Sequence, residues 1–361
     1  MTRIAAYLNR AWLGKGPLVW LLMPLSGLMA LLVAGRHLAY RQGWLKSFGL
    51  PVPVIVVGNR VVGGAGKTPT TIALLAHLQA HGWRPGVLSR GYKAALPPGS
   101  QGALLDATSA PTLDAHQTGD EPMLIWRRTG VPVMIGRDRV AGGQALLQAH
   151  PEIDIVVCDD GLQHLRLRRD VDIIVFDGRG AGNGYLLPAG PLREPIDTLP
   201  SSGLVAPALV LYNAAHATTR LPGHISRTSM AALRPLTAWW QGQASDLILQ
   251  PQDTSPKSLW ALAGIAHPQR FFDALRQLGF SPNTIALDDH ADFSTLPWPS
   301  EARDLIVTEK DAVKLDPERV ARERPGCRVW VAALDLRPEE AFWRTLDAAL
   351  AKLKARHQPG R

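Results

Sequence analysis

A run of β-branched residues, Val54, Ile55, Val56 and Val57, leads within a few positions into the segment GGAGKT at 63–68. An apolar pattern of helical spacing, Ile72, Leu75 and Leu78, follows at once. Strand, glycine-rich turn and helix in that order constrain the chain more than any other feature, because together they build a concave row of backbone N–H groups. Glycines let those groups converge on phosphate oxygens, and the helix start adds a partial positive charge. Lys67 reaches terminal phosphates, and Thr68 offers a hydroxyl to Mg²⁺. The candidate phosphate-binding residues are therefore Gly63, Gly64, Ala65, Gly66, Lys67 and Thr68. The strict pattern G-x-x-x-x-G-K-T is not met, since Val61 stands where its first glycine belongs. A turn that merely connected strand to helix would not require Lys-Thr at the helix start.

The alternation continues. Short apolar runs at 86–88, 131–135, 153–158 and 171–176 alternate with helical patterns at 69–81, 122–128 and 139–149. This predicts an α/β fold with a P-loop-like parallel sheet core and helices on both faces. Residues 183–195 (NGYLLPAGPLREP) are too rich in Gly and Pro for either element and read as an ordered loop. A smaller α/β unit follows, with strands at 259–263, 284–287, 305–308 and 328–332, a helix at 268–278 and an amphipathic last helix from 338 to about 355. The expected organisation is an N-terminal membrane-associated segment at 1–50, a nucleotide-binding core at 51–200, an indistinct linker at 201–250 and a smaller C-terminal domain at 251–361. A chain of 361 residues, 46% of them hydrophobic, is long enough for two such cores and too apolar for disorder.

Charge is unevenly placed. Residues 1–105 hold eleven Lys or Arg and no Asp or Glu, so the remainder of a chain with net charge +8 stands at −3. Within that basic end, residues 16–35 carry no formal charge, and 18–34 (LVWLLMPLSGLMALLVA) is apolar. That is membrane length, since a helix rising ~1.5 Å per residue needs about 20 residues to cross the hydrocarbon. Pro24 and Gly27 would kink or loosen the helix, while Trp12, Trp20 and Trp44 with Arg10, Lys15, Arg36 and Arg41 are placed as interfacial anchors. A buried core helix is the competing reading; a cleaved signal peptide fits less well, because no small-x-small site precedes the following basic run. Cationic flanks on both sides suit a helix in the membrane plane as well as one that spans. The lack of carboxylates beside the apolar run favours anionic lipid headgroups over nucleic acid as the partner. Cys158 and Cys327 are too far apart in sequence for a C-x-x-C pair, which excludes a disulfide framework and a cysteine-built zinc site. No motif implies an obligate protein partner.

The segment IVVCDD at 155–160 gives a buried strand ending in paired carboxylates, where a P-loop protein holds its metal directly or through water. Neighbouring strand residues point to opposite sides. Asp160 is placed near Mg²⁺ with Asp159 in support, against the alternative that the pair only caps the turn 161–163. A nucleotide site does not name the phosphoryl acceptor. Acceptor chemistry needs a group that takes or orients a hydroxyl proton, and cations beside the γ-phosphate. Candidates are Asp120 and Glu121 in TGDEP, His164 in GLQH and His267 in GIAHPQRF, with Arg90, Arg137, Arg139 and Arg193 as cations.

Taken together, GGAGKTP, LSRGYK at 88–93, TGDEP at 118–122, DDGLQH at 159–164, LLPAGPLREP at 186–195, GIAHPQRFF at 264–272, DDHADF at 288–293 and TEKDAVK at 308–314 form an ordered set behind an apolar N-terminus. This set closely resembles the tetraacyldisaccharide 4′-kinase family of lipid A biosynthesis. The resemblance implies transfer of the γ-phosphate of ATP, with Mg²⁺, to the 4′-hydroxyl of an acylated glucosamine disaccharide 1-phosphate. The product would be lipid IVA, made at the cytoplasmic face of the bacterial inner membrane among its anionic lipids. It also implies that Lys67 and Thr68 occupy phosphate and metal positions, and that Asp160 is the metal-side acid with Asp159 and His164 nearby in role. Asp120 and His267 would act on the acceptor hydroxyl, either one taking the proton. Ser89, Arg90, Tyr92 and Arg193 match positions associated with the disaccharide and its phosphate. Ala65 stands where the family usually has threonine, which removes a hydroxyl and leaves the backbone cradle. A membrane-associated P-loop ATPase that couples hydrolysis to assembly or transport is the alternative, and it would turn over ATP without an acceptor.

Overall fold

Strand β1 (Val54–Gly58) is buried along its whole length, with its side chains divided between two cores. Val54 and Val56 belong to one apolar cluster, Ile55 and Val57 to another on the opposite face. A strand covered on both sides must lie inside a layered α/β sheet. The computed structural model describes residues 10–92, 94–96, 102–110, 112–197, 208–243, 247–289 and 291–357. Arg3, Lys93, His290 and parts of the expected linker lie outside the described residues.

The other strands are β2 (Pro85–Ser89), β3 (Ala103–Leu105), β4 (Val133–Ile135), β5 (Ile155–Asp159), β6 (Val171–Asp177), β7 (Leu209–Asn213), β8 (His224–Pro235), β9 (Leu259–Ala263), β10 (Asn283–Ala286), β11 (Asp304–Thr308) and β12 (Arg328–Pro338). They form a twelve-stranded sheet in the order β10-β9-β11-β12-β8-β7-β6-β1-β5-β2-β4-β3. From β4 to β8 neighbours are parallel, as they are from β10 to β12, while β8 and β12 pair antiparallel with a bulge between Ala332 and Leu334. The expected linker is thereby corrected: within 201–250, β7 and β8 are sheet strands, and they join the two α/β units edge to edge. The short antiparallel edge strand β3 is a further element the sequence reading did not contain.

The principal helices are α1 (Pro17–Arg41), α2 (Lys67–Ala80), α3 (Asp120–Thr129), α4 (Arg139–Ala149), α5 (Pro268–Gln277) and α6 (Glu340–His357). Leu74, Leu75 and Leu78 of α2 enter one core and Val140 and Leu146 of α4 the other, so helices cover both faces of the sheet.

Helix α1 is not a core helix. It runs unbroken through Pro24, with Val19 and Ser26 buried. Trp20, Leu21, Leu25, Leu28, Leu31 and Leu32 are between 53% and 75% exposed. Each such side chain forgoes part of the about 1.5–3 kcal/mol available from full burial, which leaves a large exposed apolar face along the helix. Its attachment is local: Ser26 Oγ donates to the Leu186 carbonyl at 2.6 Å and accepts from the Ala189 N–H at 3.0 Å. Arg36 Nη2 donates to the Gln163 carbonyl at 2.8 Å. Helix α1 is thus seated on the loop at 183–195, which carries Arg193.

Candidate active site

In a parallel sheet, ligands gather beyond the carboxyl ends of the strands. The glycine turn follows β1, Asp159 ends β5 with Asp160 directly after it, Asp177 ends β6, Asn213 ends β7 and Ser89 ends β2. Helix α2 starts at Lys67 directly after Gly66, whose φ of 85° is left-handed. The left-handed φ calls for glycine, and a Cβ there would stand 2.3 Å from Asn213 Nδ2 and displace that amide. Lys67 Nζ donates to Asn59 Oδ1 at 3.2 Å and pairs with Asp160 Oδ1 at 3.6 Å. Arg193 Nη1 lies 3.4 Å from the same Asp160 oxygen and 3.3 Å from Gln163 Oε1. Asp160 holds φ at 51°, which costs a non-glycine residue on the order of 1–3 kcal/mol, and such strain gathers where a side chain must be aimed.

Asp159 is buried and accepts from Thr71 Oγ1 at 2.8 Å. Burial pushes its carboxyl up to about 7, reinforced by the negative charges of Glu121 and Asp160. The crowded carboxylates of Glu121, Asp159 and Asp160 form a hard, all-oxygen donor set whose mutual repulsion a divalent cation relieves, so these residues fit Mg²⁺.

Arg179, which the sequence reading missed, closes the other side of the turn. Its Nε donates to Asp177 at 2.9 and 3.1 Å, Nη2 donates to the Gly64 carbonyl at 3.1 Å and Nη1 to the Val62 carbonyl at 3.4 Å. The available signal was a carboxylate and an arginine just past a buried strand, but only the adjacency of β6 to β1 makes it meaningful.

The acceptor candidates come from both halves of the sheet. Asp120 opens α3 after Gly119 and is buried, with Lys314 Nζ 3.6 Å from its Oδ2. Lys314 also lies 3.2 Å from Asp311 Oδ1, and Asp311 Oδ2 accepts from the Gly264 N–H at 3.0 Å. Lys310 Nζ is 3.1 Å from Asp289 and 3.9 Å from Glu121. His267 precedes α5, in a cavity of about 420 Å³ shared with Trp12, Leu13, Val61 and Arg179. Partial burial, then the charges of Arg179 and Arg270, lower its pKa, so the imidazole is neutral near pH 7 and able to accept a proton.

Lys67, Asp160 and Arg193 therefore meet directly, Asp120 is held through Lys314, and His267 stands beside Arg179. His164 sits apart from this group. Its Nε2 is buried with no hydrogen-bond partner among the described residues, and burial, with the charge of Arg139, lowers its pKa to about 4. Ser89 is buried, its carbonyl accepting from the Gly136 N–H at 3.0 Å. Arg90 is exposed and Tyr92 is 58% exposed. Arg139 is buried and spends its guanidinium on the Gly136 carbonyl, a structural role in place of the expected cationic one.

Comparison with known proteins gives a consistent picture. The family described as tetraacyldisaccharide-1-P 4′-kinase matches residues 18–351. A tetraacyldisaccharide 4′-kinase of Methylibium petroleiphilum is 53% identical over 98% of this chain and 96% of its own length. One from Leptothrix cholodnii is 54% identical over 96% of this chain and 97% of its own. Among solved structures, LpxK from Aquifex aeolicus in complex with ATP superposes with a TM-score of 0.74 at 25% identity, covering 93% of this chain and 99% of that one.

Proposed function

The chain belongs to the tetraacyldisaccharide-1-P 4′-kinase family, and on that premise we propose how its own residues carry out the reaction. The activity is ATP-dependent phosphorylation of the 4′-hydroxyl of a tetraacyl disaccharide 1-phosphate in lipid A biosynthesis. Phosphoryl transfer passes through a loose transition state, so positioning and charge stabilisation do most of the work.

The backbone of residues 63–68 cradles the phosphates, and Lys67, positioned by Asn59 and Asp160, meets the terminal ones. Arg179 braces the turn through the Val62 and Gly64 carbonyls and adds a cation beside it. Thr68, Asp160 and Asp159, with Glu121, would hold Mg²⁺, which supplies neutralisation of charge on the β- and γ-phosphate oxygens. The acceptor oxygen attacks the γ-phosphorus, the bond to the β–γ bridging oxygen breaks, and the hydroxyl proton passes to Asp120 or to neutral His267. Lys314 keeps the Asp120 carboxylate in place. Arg193 and the Ser89-Arg90-Tyr92 segment are assigned to the disaccharide and its phosphate.

The observation that carries this reading is the seat of α1 on the loop that also bears Arg193, a residue paired with Asp160. An acylated acceptor keeps its chains in the bilayer while its sugar meets ATP, and an exposed apolar helix beside the phosphate site meets that demand. We accordingly place the protein at the cytoplasmic face of the inner membrane, with anionic lipids against the basic N-terminal end.

Purified protein given ATP and the tetraacyl disaccharide 1-phosphate should form ADP and phosphorylated lipid in equal amounts. ADP release at the same rate without acceptor would instead support the ATPase alternative.

A further inference from the structure

The far end of α2 carries a side-chain cluster that the phosphoryl-transfer site does not use. His77, in the last turn of α2, and His81, its C-cap residue, are four positions apart and lie on the same face. Their rings are 4.1 Å apart between centroids. Asp347 of α6 comes up against them, with its Oδ1 2.7 Å from His77 Nε2. One metal-ligating atom from each of the three residues lies within 4.8 Å of the other two. Two further contacts orient the imidazoles. His77 stacks on Trp343 at 4.2 Å and 9°. His81 Nδ1 is 2.8 Å from the His77 carbonyl oxygen. A proton donated to that carbonyl leaves the lone pair on His81 Nε2, the way a backbone acceptor sets the tautomer of a ligating histidine.

We propose that His77, His81 and Asp347 form a binding site for a transition dication of the Zn²⁺ type. Two imidazoles and one carboxylate suit zinc and its neighbours, whereas Mg²⁺ prefers oxygen donors and retains its water. The ion replaces the proton shared by His77 and Asp347, and exposed His81 leaves the approach from solvent open. Helix α2 begins at the phosphate turn and α6 is the last described helix of the chain, so a bound ion staples these two elements together. The site is separate from the one assigned to Mg²⁺ and does not depend on the kinase assignment.

The test is calorimetric titration of tag-free, chelator-treated full-length protein with ZnCl₂ in excess MgCl₂. Expected is one Zn²⁺ per chain with a Kd of about 1 μM or tighter. His81→Ala and Asp347→Asn should each weaken it at least ~10-fold, since losing even an outer-shell partner costs about 10–100-fold. His216→Ala, an exposed histidine elsewhere, should change nothing. At ~100 times the wild-type Kd, zinc should raise the wild-type unfolding midpoint by about 3–4 °C and that of His81→Ala by no more than about 2 °C. No saturable zinc binding by the wild type, or wild-type affinity in either ligand variant, overturns the site.

Discussion

Lys314 and Asp120 come from opposite halves of the sheet, and their charged groups stand 3.6 Å apart. The pair ties the segment after β11 to the start of α3, so the acceptor role proposed for Asp120 draws on both α/β units. Asp120→Asn keeps the shape and removes the negative charge. The expected outcome is ATP affinity within about twofold of wild type and kcat lower by about 10²–10⁴, the range for losing a general base. Equilibrium nucleotide binding and steady-state turnover, measured on the same preparation, check both halves of the statement.

Arg179 should behave differently, because it contacts the phosphate turn itself. Arg179→Lys keeps a cation but cannot grip Asp177 and still reach the Val62 and Gly64 carbonyls. We expect kcat/KM for ATP to fall by about 10²-fold with a raised KM, which losing one well-placed charge-stabilising donor produces. An unchanged KM for ATP would remove Arg179 from the turn's support.

The sign of one pH effect follows from His164. Its pKa in the folded chain is lowered to about 4 from an ordinary 6.5. The unfolded chain therefore binds more protons between those values, and stability rises with pH across that window. The contribution is fully present above pH 6.5 and is lost as pH falls through the folded value. Since the ring is only partly buried, wild type should lose about 1–2 kcal/mol more than His164→Gln between pH 7 and pH 5. Urea unfolding of both proteins at the two pH values measures it.

The exposed face of α1 gives a prediction about attachment. Leu21→Glu with Leu31→Glu places charges on residues 75% and 71% exposed, so the fold should survive. Binding to vesicles containing anionic lipid should weaken by at least ~10-fold in sedimentation, since each substitution also removes a large apolar contact. Raised salt should weaken the remaining binding by screening the basic end of the chain.

What the sequence made legible was what local rules govern. Helix α4 runs over the residues expected because Asp138 accepts from the Val140 and Ala141 N–H groups at its start. Strand β9 likewise matches its apolar run. Strands β7 and β8 were hidden because β8 owes its order to a long antiparallel ladder with β12, a pairing no local pattern announces. Arg179 and Asn213 were missed for a related reason: the strand order β7-β6-β1 brings them to the glycine turn, and strand order is a property of the whole chain. His164 shows the converse. It sits within a recognisable motif, yet the turn from Gly161, closed by the His164 N–H to Gly161 carbonyl bond at 2.9 Å, leaves its ring under the charges of Arg139 and Arg166.

In the proposed reaction the turn bearing Lys67, the Asp120 carboxylate and His267 face one acceptor. The most direct measurement is a crystal structure with a non-hydrolysable ATP analogue and the tetraacyl disaccharide 1-phosphate bound together. The 4′-oxygen should stand about 3–3.5 Å from the γ-phosphorus and within hydrogen-bond reach of Asp120 or His267, with Lys67 on the terminal phosphates. A 4′-oxygen seated against neither residue, with the analogue bound in the glycine turn, would contradict it.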